Sequence, residues 1–129
     1  MKFGQQLKEA FYEPWRFYYL DYDSLKRQLK TNGQGQQLTD GDEAQFVEQL
    51  EKELDKVDSF HKIKSGEISR HVQYLRNTVD SLRETEDTPE DRYIEAEEEI
   101  NRIITEVNEL NTFTRLNYSG FLKIVKKHR

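Results

Sequence analysis

Residues 42–84 read DEAQFVEQLEKELDKVDSFHKIKSGEISRHVQYLRNTVDSLRE. Within this stretch the apolar residues Phe46, Leu50, Leu54, Val57 and Phe60 recur at steps of four and three, and Ile68, Val72, Leu75, Val79 and Leu82 continue the series. Steps of that size return a side chain to one face of an α-helix, whereas a strand needs alternation at every second residue. The spacing therefore predicts one long helix, or two in line, beginning near Asp42. Gly66 lies inside it and costs about 1 kcal/mol relative to alanine, a defect expected where a slight bend or close packing is wanted.

Working outward, Glu84 to Pro89 breaks the pattern, and Thr88-Pro89-Glu90 has the form of an N-cap followed by proline at the first helical position. A second long helix is predicted from there to about Leu116, with a stripe through Ala96, Ile100, Ile103, Val107 and Leu110. The short break between the two long helices predicts antiparallel packing. At Asn117 to Gly120 the helix is expected to lose continuity, with Ser119 capping a short C-terminal helix built on Phe121, Leu122, Ile124 and Val125. A chain that stops at Lys126-Lys127-His128-Arg129 without a closing turn is expected to be a truncated piece of a longer protein.

Upstream, Phe3, Leu7, Ala10 and Phe11 mark a short amphipathic helix that Pro14 ends. A second short helix follows from about Tyr18 to Leu29, with Asp21 or Asp23 available to its first turn, and the two form a hairpin. Thr31 to Asp42, rich in glycine and glutamine, reads as a loop. The fold class is all-α, in one domain spanning residues 1–129.

Composition narrows the function. The 129 residues include no cysteine, which excludes a disulfide framework and thiol chemistry and fits the cytosol. No run of 18 apolar residues occurs, so neither a membrane span nor a signal peptide is expected. The formal net charge of −5 is segregated: from Glu84 to Glu109 eleven carboxylates face only Arg92 and Arg102, a balance of −9 that leaves +4 on the rest. A local basic patch can bind an anion even on an acidic protein.

Tyr22 and Lys26 are four apart on the second short helix and share a face, with Lys30 a turn further on. Lys123 and Lys127 are likewise four apart, Lys126 lies beside them, and Lys2 starts the first helix, whose free amides favour phosphate. Clustered cations repel one another unless an anion relieves them. The blander reading is a set of solvated faces, since single exposed ion pairs contribute only about 0–1 kcal/mol. Five cations around one ligand would still reach roughly 5–8 kcal/mol, near micromolar affinity, if the ligand carries many phosphates. A small anion such as orthophosphate cannot touch so many lysines at once, although orthophosphate, sulfate and polyphosphate stay among the candidate anions. The spacing prefers a polyphosphorylated ligand.

Other classes are weaker. His61, His71 and His128 lack metal-ligand spacing, and no metal or cofactor is expected. Gly33-Gln34-Gly35 lacks the strand a nucleotide loop requires, the Glu95 to Glu99 carboxylates face solvent, and no nucleophile motif is present, so an enzyme is not expected. The aromatic crowd from Phe11 to Tyr22 reads as core rather than as a base-stacking platform, which argues against nucleic acid. Tyr22 is the exception, because it shares its face with Lys26.

The opening Met1-Lys2-Phe3-Gly4, the stretch Tyr19 to Lys26, the central Phe46 to Lys64 and the closing Leu116-Asn117-Tyr118-Ser119-Gly120-Phe121-Leu122-Lys123-Ile124-Val125-Lys126-Lys127-His128 resemble the three motif blocks of SPX domains. The resemblance covers nearly the whole chain. It implies an N-terminal helical hairpin packed on two long antiparallel helices, followed by short C-terminal helices. It also implies binding of inositol hexakisphosphate or inositol pyrophosphates as a report of phosphate status, with Tyr22, Lys26 and Lys123 as the central cluster. Lys126 and Lys127 would then belong to the adjoining lysine surface, and Lys2 would contribute. The family continues His-Asp-Lys after the paired lysines where this chain has His128-Arg129, so a cation is lost unless Arg129 partly substitutes. The closing motif is most similar to SPX domains of fungal vacuolar transporter chaperone subunits, the polyphosphate polymerase complex. An attached effector domain or protein partner is implied, on the cytosolic face of a vacuolar or other membrane. Two rival readings stay open: a helical interaction scaffold without a ligand, and a polyphosphate-binding module.

Overall fold

The computed structural model describes residues 2–33 and 39–128, without the side chains of 30–33. Among the described residues every regular element is helical: α1 (Phe3–Ala10), a 3₁₀ turn (Glu13–Tyr18), α2 (Tyr22–Gly33), α3 (Asp40–Glu84) and α4 (Glu90–His128). The fold class is all-α, as the periodicity predicts. No helix is long and apolar enough to cross a membrane. The chain divides into two compact units, Met1–Phe60 with Thr112–Arg129, and His61–Asn111.

The first unit contains the short helices and the adjoining ends of α3 and α4. Its core is aromatic. Phe113 is completely buried, with ring centroids 4.7 Å from Tyr19, 5.1 Å from Phe60 and 6.1 Å from Trp15. Trp15 also meets Phe60 edge-on at 5.3 Å and Tyr12 at 4.9 Å, and Phe11 stacks on Tyr19. The Tyr19 hydroxyl accepts the Tyr12 N–H at 3.0 Å, satisfying the backbone group just before the turn. The crowd read as core is thus largely core, with Phe17, 74% exposed, and Tyr18 left outside. The 3₁₀ turn was not foreseen. Pro14 sets its start, its missing N–H costing nothing at a helical N-terminus, and the turn carries Trp15 into the core.

In this unit α3 and α4 run antiparallel. His128 meets Glu43 and Phe46, while Phe113 meets Phe60, so rising numbers on one helix pair with falling numbers on the other. Thr39 Oγ1 accepts the Asp42 N–H at 3.1 Å and caps α3, three residues before the expected start. α2 continues through Gly33, so the loop expected from Thr31 to Asp42 is helical at both ends; residues 34–38, including the Gln34-Gly35 part of the glycine motif, lie outside the described residues.

The second unit pairs residues 61–84 of α3 with 90–111 of α4, again antiparallel, with His71 Nδ1 3.6 Å from Glu106 Oε2. Ala96, Ile103 and Leu110 are buried at seven-residue intervals, whereas Ile100 and Val107 of the same predicted stripe remain more than a third exposed. A two-helix pairing buries a seam one residue narrower than the stripe that a 4-3 spacing outlines. α3 shows the same narrowing in the first unit: Glu53 is buried and Leu54 is 44% exposed. The turn into α4 places Asp87 at φ 54°, a left-handed conformation that aspartate tolerates better than most residues. The Thr88 hydroxyl donates to the Thr85 carbonyl at 3.1 Å, and α4 begins at Glu90, directly after Pro89.

Gly66 sits within unbroken helix, and a Cβ there would meet only the Arg70 guanidinium, at an ordinary 3.4 Å. Nothing in the packing requires glycine. Gly66→Ala is expected to stabilise the domain by about 1 kcal/mol, read as a raised midpoint in chemical denaturation.

Candidate functional site

The site is set up by the segment Leu20-Asp21, where the chain leaves the 3₁₀ turn and enters α2. Its two amide groups are held by side chains from the two long helices. The Leu20 N–H donates to Asn117 Oδ1 at 2.7 Å, and the Asp21 N–H donates to Glu53 Oε1 at 2.7 Å. Asn117 also donates from Nδ2 to the Phe113 carbonyl at 2.7 Å, and Lys56 Nζ sits 2.8 Å from the Glu53 carboxylate. Both acceptors are buried, so loss of either strands a backbone donor at a cost of about 1–3 kcal/mol. Asp21 then caps α2, its Oδ1 accepting the Ser24 N–H at 3.2 Å, as expected of an aspartate there. These bonds fix the direction in which α2 departs, and with it Tyr22 and Lys26.

Asn117 to Gly120 is not a helix break: α4 runs without interruption to His128, and the expected separate C-terminal helix is its last part. The residues that look like breakers serve packing. Asn117 turns its amide to Leu20, and Gly120 lets α4 approach, since a Cβ there would lie 2.7 Å from Leu20 Cδ2 and 3.3 Å from the Phe3 ring. Gly4 does the same for α1: a Cβ would fall 2.6 Å from Asp23 Oδ1 and 3.3 Å from Tyr22.

Phe3 is where three elements meet. Its ring stands edge-on to Tyr22 with centroids 5.0 Å apart, and Lys123 Nζ lies 5.4 Å from its centroid. Lys2, the residue before α1, is exposed beside it. Tyr22 is buried, and Lys26, one turn on, is half-buried. Burial, and secondarily the Asp23 carboxylate, raise the Tyr22 phenol above its ordinary value, so its hydroxyl stays protonated and can donate to an anion. Lys126 and Lys127 are exposed in the last turn of α4, with Lys127 four residues from Lys123 on the same face. The backbone thus brings Tyr22 and Lys123 to one ring, with Lys2 next to that ring's residue in the chain. The side chain of Lys30 and all of Arg129 lie outside the described residues.

Phe3, Glu53, Asn117 and Gly120 were not singled out by sequence reasoning as parts of a site. An aromatic in the first turn of an amphipathic helix reads as core, and a buried glutamate has no period of its own. Burial distinguishes Glu53 and Asn117, and close contacts distinguish Phe3 and Gly120, and both need coordinates.

No protein-family model matches the chain. It is 40% identical over 132 residues to vacuolar transporter chaperone complex subunit 4 of Schizosaccharomyces pombe, and 36% identical over 135 residues to subunit 2 of that complex in Saccharomyces cerevisiae. Each match takes in 99% of this chain but only 18% and 16% of those proteins, so the chain spans less than a fifth of their length. A solved structure superposes with a TM-score of 0.83 at 27% identity, covering 99% of this chain and 74% of that one; it is the SPX domain of Chaetomium thermophilum glycerophosphodiester phosphodiesterase 1 in complex with inositol hexakisphosphate. The chain is an SPX domain. The SPX fold accounts for the N-terminal hairpin and the long helices, and the opening stretch, residues 19–26 and the closing stretch, which resemble SPX motifs, meet at Phe3.

Proposed function

We propose that this SPX domain binds inositol polyphosphates, inositol hexakisphosphate or an inositol pyrophosphate, and thereby signals phosphate status to an attached or partner protein. Lys2, Tyr22, Lys26, Lys123, Lys126 and Lys127 supply the site. The observation that carries this reading is the meeting of Tyr22 and Lys123 at the Phe3 ring, which joins residues 101 positions apart in the chain. An inositol ring bearing six phosphates suits such a site, because phosphates pointing in several directions can engage ammonium groups on three helices while a tyrosine hydroxyl donates to one of them. Complex formation of the related domain with inositol hexakisphosphate and the likeness to transporter chaperone subunits support the reading. The regulated protein is then a polyphosphate-synthesising or phosphate-transporting assembly at the cytosolic face of a vacuolar membrane, with the domain itself carrying no catalytic group. Ligand binding neutralises the repelling lysines and biases the end of α4 against its effector.

Calorimetric titration of inositol hexakisphosphate is expected to give one site of about micromolar affinity, weakened as salt is raised. Orthophosphate at the same concentration should give no saturable heat. A flat titration with the inositol phosphate favours the scaffold reading; binding that strengthens with the length of a linear polyphosphate and ignores the inositol compound favours the polyphosphate module.

A further inference from the structure

The last described turn of α4, residues 125–128, carries the paired lysines. Here it is tied down from outside. His128 Nε2 lies 2.6 Å from Glu43 Oε1, and the His128 ring lies parallel to the buried Phe46 ring, 12° between planes and 5.1 Å between centroids. Glu43 is itself fixed, because it stands in the first turn of α3 and its amide donates to the Thr39 carbonyl at 2.9 Å. None of these residues belongs to the lysine cluster. We propose that Glu43, Phe46 and His128 form a clasp that positions Lys123 and Lys127 by holding the last turn of α4 helical, so that ligand affinity depends on residues that do not touch the ligand. The clasp rests on the inositol polyphosphate reading given above for its effect on binding, but not for its effect on the helix.

The sign of one substitution separates the clasp from simple electrostatics. Glu43 is a negative charge near a cationic surface, and removing such a charge should by Coulomb's law tighten the binding of a polyanion. The clasp predicts the reverse. Glu43→Ala and His128→Ala are expected to weaken inositol hexakisphosphate binding by about fivefold each, while Glu43→Gln, which keeps an oxygen to accept from His128 Nε2, stays within about twofold of wild type. Both side chains are partly exposed, so folding should survive, and a thermal melt of each variant checks it. Hydrogen exchange at the amides of Ile124 to Lys127 supplies a readout independent of any ligand, expected to quicken about tenfold in Glu43→Ala and His128→Ala but not in Glu43→Gln. Tighter binding by Glu43→Ala, or equal losses in Glu43→Ala and Glu43→Gln, would overturn the proposal, since either means that charge alone matters. Unchanged exchange in His128→Ala would overturn it as well. Were the wild type to bind no inositol hexakisphosphate while exchange still quickened as stated, the functional reading would fail and the clasp on the helix would stand.

Discussion

Phe113→Ala is expected to destabilise the domain by about 3–5 kcal/mol, the range for removing a buried aromatic ring. For a chain of this length that corresponds to a fall in melting temperature on the order of 10–20 °C. The size follows from position. Phe113 is fully buried and meets Tyr19, Trp15 and Phe60, which come from the entry to α2, the 3₁₀ turn and α3. The void left by alanine lies among rigid rings that cannot close over it, so the cavity penalty is added to the lost transfer energy. Phe113→Leu should recover more than half of the loss. A melt of Phe113→Ala within about 3 °C of wild type would show that the aromatic cluster does not hold the short helices in place.

Lys26→Ala and Lys123→Ala have the opposite character. Each is expected to weaken inositol hexakisphosphate binding about tenfold, the loss of one charge-assisted contact, and the double variant about a hundredfold if the two act independently. The stability of the domain without ligand should change by no more than about 1 kcal/mol, because the relief of like-charge repulsion offsets the loss of a surface contact. Lys123→Ala also gives up its contact over Phe3, worth about 0.5–1 kcal/mol at an exposed site, which sets the limit on any loss of stability in that variant. Calorimetry and melting curves on the same samples measure both quantities. Binding that falls only in step with the melting temperature would mean that these lysines support the fold rather than the ligand.

The contrast between these variants marks what the sequence makes legible. The two long helices, their antiparallel pairing and the hairpin ahead of them follow from spacing, because a helix of some forty residues repeats its apolar step often enough to exclude a strand. The width of the buried seam does not follow: Ile100 and Ile103 are both apolar, one and two turns from Ala96, and only pairing with a single neighbour leaves Ile100 39% exposed while Ile103 is buried. Asn117 and Gly120 illustrate a second limit. Local propensity treats asparagine and glycine as helix breakers, yet the hydrogen bond to Leu20 and the close approach of Phe3 are long-range effects that outweigh a cost of about 1 kcal/mol. The lysines were readable as cations on shared faces, but helical spacing says nothing of which helices meet. Phe3, the residue that touches both Tyr22 and Lys123, carries no charge to draw notice.

The central claim is that cations and a phenol from α1, α2 and α4 engage one polyphosphate together. Amide chemical shifts followed by nuclear magnetic resonance during titration with inositol hexakisphosphate test it most directly. The account predicts that residues 2–4, 22–26 and 123–127 move along one saturation curve, with the same midpoint for all three groups. Shifts confined to the last turn of α4, or separate midpoints for the N-terminal and C-terminal groups, would contradict it.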